Sequence, residues 1–287
     1  MPDSTSISEE IIARRSSSSA ADAVNDTAYL VLDTESVPDG DLIARVSFPA
    51  ENLSAEEAIR RAQAEALEKS GGVSDFIPVT FQIPVAVCVL RVGADFTLRK
   101  ITCLDAPLYR PAEITRQFWK GVADHQAKHH AKLVTFNGRA FDLPLMELAA
   151  YRWSCDASRY FRAGRDRFQG NQLDLMEWFS NRGACRMNGG LNLLAKMLGM
   201  PGKMAVAGDQ VREMHRAGKF EEINDYCMFD TLDTYFVFLR SRVVNGELTA
   251  NRERELVMEG RDWLVEKTAE RPALQRYLDA WQPVCQE

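Results

Sequence analysis

The stretch "AYLVLDTES", residues 28–36, is an apolar, β-branched run that breaks into acid, and its reading decides the fold. It reads as a buried strand. Side chains two apart on a strand share a face, so Asp33 and Glu35 project together, in line with Tyr29 and Val31. At about 4 Å and an effective dielectric near 20, two such charges repel by about 4 kcal/mol. Protonation or a cation must relieve them. The plainer alternative is a strand end running into solvent, with both acids as turn residues.

Working outward, "SAEEAIRRAQAEALEKSGG" (54–72) opens on a Ser N-cap with Glu57 three residues on and closes on Gly, a helix with a capping box. It lies in a stretch, 39–80, that parts the first strand from the next and reads as an insertion. "IPVAVCVLRVGADFTLRKITCLD" (83–105) is two strand-like runs around "GAD", a hairpin signal. Pro111 opens a helix running to about residue 130, and "AKLVTFNG" (131–138) is a further strand ending in Asn-Gly. "FDLPLMELAAYRW" (141–153) is a helix with Pro144 in its first turn. Helices are then expected near 174–181, 190–199, 207–217, 220–243, 251–270 and 273–282. That order suits an α/β fold, a central mixed β-sheet flanked by α-helices. The expected organisation is a Ser-rich disordered tail at 1–26, one domain at 27–245, and a helical extension at 246–287.

The second decisive stretch is "DYCMFDTLDTYFVF" (225–238). It has helical periodicity, yet Tyr226 and Asp230 fall on the same side as Ile223, Cys227 and Val237. A carboxylate on a largely apolar stripe must be compensated. A Tyr–Asp hydrogen bond would do so; a metal is the other solution. Asp225 and Asp233 are expected to point away into solvent. Asp142 follows the 131–138 strand, where a first-turn acid interacting with the helix dipole is the simple reading. Asp174 is read as a helix cap. Taken together, a strand D-x-E, an acid after a later strand and a Y-x-x-x-D on a late helix are a set of oxygen donors suited to Mg²⁺ or Mn²⁺. Two such ions about 4 Å apart can activate water and stabilise a leaving oxygen in phosphodiester hydrolysis.

These motifs, "LDTES", "TFNGRAFDLPLM" and "DYCMFDTLDTYFVFLR", resemble the DEDD superfamily of 3′–5′ exonucleases, which have a ribonuclease H-like fold. More narrowly, the chain resembles the predicted exonucleases related to the proofreading domain of family B DNA polymerases, over roughly residues 28–243. "NGGLNLLAKMLGMPGK" and "GDQVREMHRAGKFEEINDYC" also look typical of that group. The resemblance implies that Asp33, Glu35 and Asp230 hold one ion. It implies that Asp33 bridges to a second, assisted by Asp142, and that Tyr226 orients the attacking water with Glu35. The superfamily divides between His five positions before the last Asp and Tyr four before; here those positions are Asp225 and Tyr226, which places the chain with the Tyr branch. No polymerase portion is expected in a chain of 287 residues.

Bulk properties limit the alternatives. Net charge is −6, from 35 basic and 41 acidic residues, which excludes a passive basic coat for nucleic acid. Phosphate would instead meet cations and a local basic rim, for which Arg139, Lys196, Lys203 and Arg212 are candidates. Phe136, Asn137, Phe141 and Met204 are candidate contacts to the terminal nucleotide, since stacking tolerates any base, with core packing the plainer reading for Phe136 and Phe141. Six cysteines without a C-x-x-C pair read as free buried thiols in a reducing cytoplasm. His125 and His129 stand four apart but lack any H-E-x-x-H context. No signal peptide or membrane span is expected. The expected substrate is a single-stranded or frayed nucleic-acid 3′ end, DNA ahead of RNA. A binding module that keeps the fold without cleaving is the reading from another class. Oligomeric state is open, with Trp263 and Trp281 expected to pack back onto the domain.

Overall fold

The computed structural model describes residues 27–165, 171–204 and 210–282. The expected tail at 1–26, the start of the 207–217 helix and Cys285 lie outside them. The strand foreseen at 28–36 is β1 (Tyr29–Pro38), two residues longer at its end. It pairs antiparallel with β2 (Gln82–Val92), which pairs antiparallel with β3 (Leu98–Cys103). On its other side β1 runs parallel to β4 (Lys132–Thr135), which runs parallel to β5 (Gln172–Asp174). The sheet is therefore mixed, in the order β3-β2-β1-β4-β5.

Alternation along β1 sorts the core into two layers. Leu30 and Leu32 face Phe118 and Trp119 of α3 (Pro111–His129), and Leu143 and Met146 of α4 (Asp142–Arg152). Val31 faces the other way, into a larger cluster built on α9 (Phe220–Val244). Before α3 come α1 (Gly40–Ser47) and α2 (Ala55–Lys69). Between α4 and α9 lie α5 (Ser158–Gly164), α6 (Leu175–Phe179), α7 (Gly190–Met197) and α8 (Val211–Arg216). After α9 come α10 (Ala250–Lys267) and α11 (Ala273–Ala280).

α9 is buried on all sides: Ile223, Phe229, Leu232, Tyr235, Phe236 and Phe238 are all within the core. Such a helix is a central pillar rather than a surface amphipath. The C-terminal helices complete its jacket, since Leu256, Leu264, Leu274 and Tyr277 belong to the same cluster. Trp281 packs edge-on against Phe236, and Trp263 is half-buried against that cluster.

The stretch 39–80 holds two helices where the sequence suggested one. Asp39 caps α1 by accepting from the Leu42 N–H, and Ser54 and Glu57 close the expected capping box on α2. Ile43, Phe48, Ala58, Ile59 and Ile77 form a small core of their own. This unit is tied to the main body by an Arg152–Asp39 ion pair and by Arg212, which donates to Glu56 (2.6 Å) and Gln63 (2.8 Å). α1, α5 and β5 escaped the sequence reading; each is eight residues or fewer, too short for a periodic signal. Among the described cysteines all are free; Cys88 and Cys103 face each other across β2 and β3, with sulfurs 4.0 Å apart. Cys185 is exposed, against the expectation of burial.

Candidate active site

The sheet opens where the acids lie. Pairing of β1 with β4 ends at Val31 and Val134, while pairing with β2 continues to Pro38. Beyond Val31, β1 has a neighbour on one side only. A cleft therefore opens at the carboxyl ends of the parallel strands, beside the strand where parallel and antiparallel pairing meet, the usual place for a ligand site in an open sheet.

Asp33 and Glu35 share the Val31 face and so point toward α9. The middle of α9 brings Asp230 to meet them. One carboxylate oxygen from each of Asp33, Glu35 and Asp230 lies within 4.8 Å of the others, and all three residues are half-buried. Among the described residues this is the one group of acidic, His or Cys side chains with spacing fit for a metal ion. The Cys227 thiol donates to the Asp33 carbonyl at 3.2 Å, pinning α9 to β1 beside the acids.

The electrostatics are those of a site short of positive charge. Burial first, then repulsion from Asp142, Glu35 and Asp230, holds Asp33 well above the usual carboxylate range. Burial, then Asp230 and Asp142, does the same to Glu35, with Lys203 the opposing charge. Burial raises Asp230 to about 6, against the Tyr226 hydroxyl and Lys203, which lower it. Tyr226 lies one turn before Asp230; burial, then Asp230, Glu35 and Asp33, raises its hydroxyl, so it remains a proton donor.

Asp142 stands beside the trio rather than in it. It is the first residue of α4, 4% exposed, and accepts a 2.7 Å bond from the Thr34 hydroxyl. Thr34 alternates to the opposite side of β1 from Asp33 and Glu35. Burial raises Asp142 to about 6 against that bond. The loop leading to it is held by Asp174, whose carboxylate accepts from the backbone N–H groups of Asn137 and Arg139 (both 2.9 Å) and caps α6 through Met176 (2.9 Å) and Glu177 (3.3 Å). The Asn-Gly turn is sterically required: Asn137 has φ 65°, and a Cβ on Gly138 would come within 2.4 Å of Thr135.

The other expected contacts divide. Lys203 is exposed and close enough to act on Glu35 and Asp230. With Gly189, Gly190, Asn192, Asp230 and Asp233 it lines a cavity of about 160 Å³. Lys196 is exposed, and its charge acts on Asp233. Phe136 is half-buried behind that cavity, 3.5 Å from where a Gly190 Cβ would stand. Asn137 is exposed. Phe141 is half-buried, its ring 6.0 Å from that of Phe76. Phe76 is 55% exposed and was missed by the sequence reading; its signal was an aromatic in the polar run "GGVSDF". Arg139 and Arg212 are not rim cations: Arg139 pairs with Glu177 (3.3 Å) and the Gln172 carbonyl (3.1 Å), and Arg212 is the tether to α2. Asp225 and Asp233 are not solvated either. Asp225 pairs with Arg276 at 2.6 Å, and Asp233 is 1% exposed and accepts from Tyr277 Oη at 2.7 Å. Both partners sit on α11, out of reach of any local pattern.

No curated protein and no solved structure gives a significant match to this chain. One family does, described as predicted 3′–5′ exonucleases related to the exonuclease domain of PolB, over residues 74–281. The matched span contains Asp142, Tyr226 and Asp230 and reaches through α11, further than the motif resemblance extended. It begins after β1, so Asp33 and Glu35 lie outside it and join the site through the fold. The five-stranded mixed sheet with helices on both faces accords with the ribonuclease H-like arrangement expected for such exonucleases. With nearly three quarters of its length matched, the chain belongs to the family of predicted 3′–5′ exonucleases related to the exonuclease domain of PolB.

Proposed function

We propose that the protein is a divalent-metal-dependent exonuclease that removes nucleotides from the 3′ end of single-stranded DNA. The observation that carries this reading is the convergence of Asp33, Glu35 and Asp230, three oxygen donors within 4.8 Å, with Tyr226 one turn from Asp230. The donor set fits hard cations: every ligand atom is a carboxylate oxygen, and their mutual repulsion is relieved by positive charge between them. Asp33, Glu35 and Asp230 would hold Mg²⁺ or Mn²⁺, and Asp142 would serve a second ion next to Asp33. Bound there, the ions would polarise the scissile phosphate and lower the pKa of the attacking water.

The chain's own residues supply the rest. Tyr226, protonated, donates toward the water while Glu35 accepts from it, which fixes its line of attack. The Lys203 ammonium offsets phosphate charge at the mouth of the cleft. The cavity between the Gly189–Gly190 turn and Asp230 receives the terminal sugar, with Phe136 behind it. Phe141 and Phe76 offer a stacking surface for a base, which is sequence-tolerant.

The test is digestion of a 5′-labelled single-stranded DNA with Mg²⁺ or Mn²⁺, beside a matched RNA. A ladder shortening from the 3′ end, lost in Asp230→Ala and with EDTA, is expected. Faster loss of the RNA would move the substrate assignment. Binding without cleavage by well-folded protein would replace the enzyme with a binding module.

A further inference from the structure

On the face of the sheet turned away from the carboxylates, a cavity of about 180 Å³ lies between β1–β2–β3 and α3. Leu30 and Leu32 of β1 and Phe118 and Val122 of α3 form its wall, each no more than 2% exposed. The space extends over position 121, in the middle of α3, which is Gly: a Cβ built there meets nothing within 4 Å. Gly is a poor helix-interior residue, so Gly121 costs helix stability while leaving this space open. A space of about 150 Å³ between apolar side chains is large enough to admit a single aromatic ring.

The lining is not wholly apolar: Arg91 and His125 belong to it, as do Thr102 and Gln117. Among the described residues Arg91 makes one side-chain hydrogen bond, from Nε to Thr27 Oγ1 at 3.0 Å, and pairs with no carboxylate. His125 Nδ1 is buried without a hydrogen-bond partner. Burial, then the Arg91 charge, lowers the His125 pKa, which keeps the imidazole neutral; its Nδ1–H tautomer can donate to a ligand. An arginine with no acid among the described residues, near an unpartnered ring nitrogen on the lining of a mainly apolar cavity, calls for one ligand chemistry.

We propose that this cavity is a binding site for a small amphipathic carboxylate, an aromatic ring or short branched chain bearing one carboxyl group. The apolar body fills the space opposite Gly121, and the carboxylate lies between the Arg91 guanidinium and His125. This site is separate from the nuclease cleft, on the other face of β1, and stands whether or not the chain cleaves nucleic acid.

The test uses the full chain with benzoate as probe and toluene as its neutral counterpart, read by saturation-transfer NMR and by thermal melting. Benzoate is expected to give a saturable signal and a concentration-dependent rise in Tm. Gly121→Leu fills the space; it is expected to melt above the parent and to lose both signals. Arg91→Met leaves the void intact and is expected to weaken benzoate about tenfold while leaving toluene unchanged. Should Gly121→Leu not fold, as judged by circular dichroism, Gly121→Ala with Arg91→Met carries the same comparison. No saturable benzoate signal, a signal that survives filling the cavity, or toluene binding with benzoate excluded would each overturn the proposal.

Discussion

Asp174 offers the sharpest check on how the loop before Asp142 is held. Its carboxylate is 4% exposed and accepts four backbone N–H bonds, from Asn137, Arg139, Met176 and Glu177. In Asp174→Ala the α6 cap is lost, a cost of about 1 kcal/mol. The two loop N–H groups also lose a charged acceptor, about 1.5 kcal/mol each. The expected destabilisation is therefore about 4 kcal/mol. Asp174→Asn separates the contributions: Oδ1 serves Asn137, Met176 and Glu177, while Oδ2 alone serves Arg139. An amide can keep the first set, but its NH₂ then faces the Arg139 N–H, so the expected loss is about 2 kcal/mol. Urea unfolding of metal-free protein reads both values, provided the m-value is unchanged. Exonuclease activity should fall in both variants at temperatures where they remain folded, because the loop delivers Phe141 and Asp142. Asp174→Ala within about 1 kcal/mol of the parent, or Asn as damaging as Ala, would refute the reasoning.

Three further outcomes follow from the charges. Asp230 rises on folding from the ordinary carboxylate value to about 6 without metal, so its ionisation opposes folding, and stability falls as pH rises from about 4 through 6. Asp230→Asn should thus be inactive yet more stable than the parent in EDTA at pH 8, by up to about 3 kcal/mol, and Mg²⁺ should raise the melting temperature of the parent alone. Asp233, raised by burial to about 7, has the same sign: its contribution is present at low pH and lost as pH rises through 7. Asp233→Asn keeps an acceptor for Tyr277, so its advantage over the parent should grow between pH 4 and 7 in parallel melts and be small at pH 4. Tyr226→Phe keeps the ring packing and loses the donor; kcat should drop about 100-fold while the Mg²⁺-induced rise in melting temperature persists. An unchanged kcat there would remove Tyr226 from the chemistry.

The parts of the molecule that the sequence revealed are those governed by short-range periodicity. Strand alternation was enough to put Asp33 and Glu35 on one face, and helical spacing put Tyr226 beside Asp230. The capping box at Ser54–Glu57 and the caps of Asp174 are likewise local chemistry. What stayed hidden depends on partners remote in the chain. Asp233 reads as a solvated helix acid until Tyr277, 44 residues on, is seen to donate to it. Arg212 reads as a rim cation until α2 is folded back to offer Glu56. Asp142 was grouped with the other acids by order of motifs, and only the folded chain shows that it stands beside the trio, accepting from Thr34 while its charge acts on Asp33. Gly121, an unremarked residue in a good helix, acquires meaning only from the empty space opposite it.

The burial of α9 on every side has a consequence for genetics. A helix that is both pillar and carrier of Tyr226 and Asp230 does not separate folding from chemistry in a loss-of-function screen. Inactivating substitutions would spread along nearly its whole length, most of them through misfolding, and Tyr226 and Asp230 would not stand out. On β1 the two demands alternate from residue to residue. A screen that scored soluble protein and activity separately would there show a two-residue rhythm: Leu30 and Leu32 losing both, Asp33 and Glu35 losing activity while the protein accumulates.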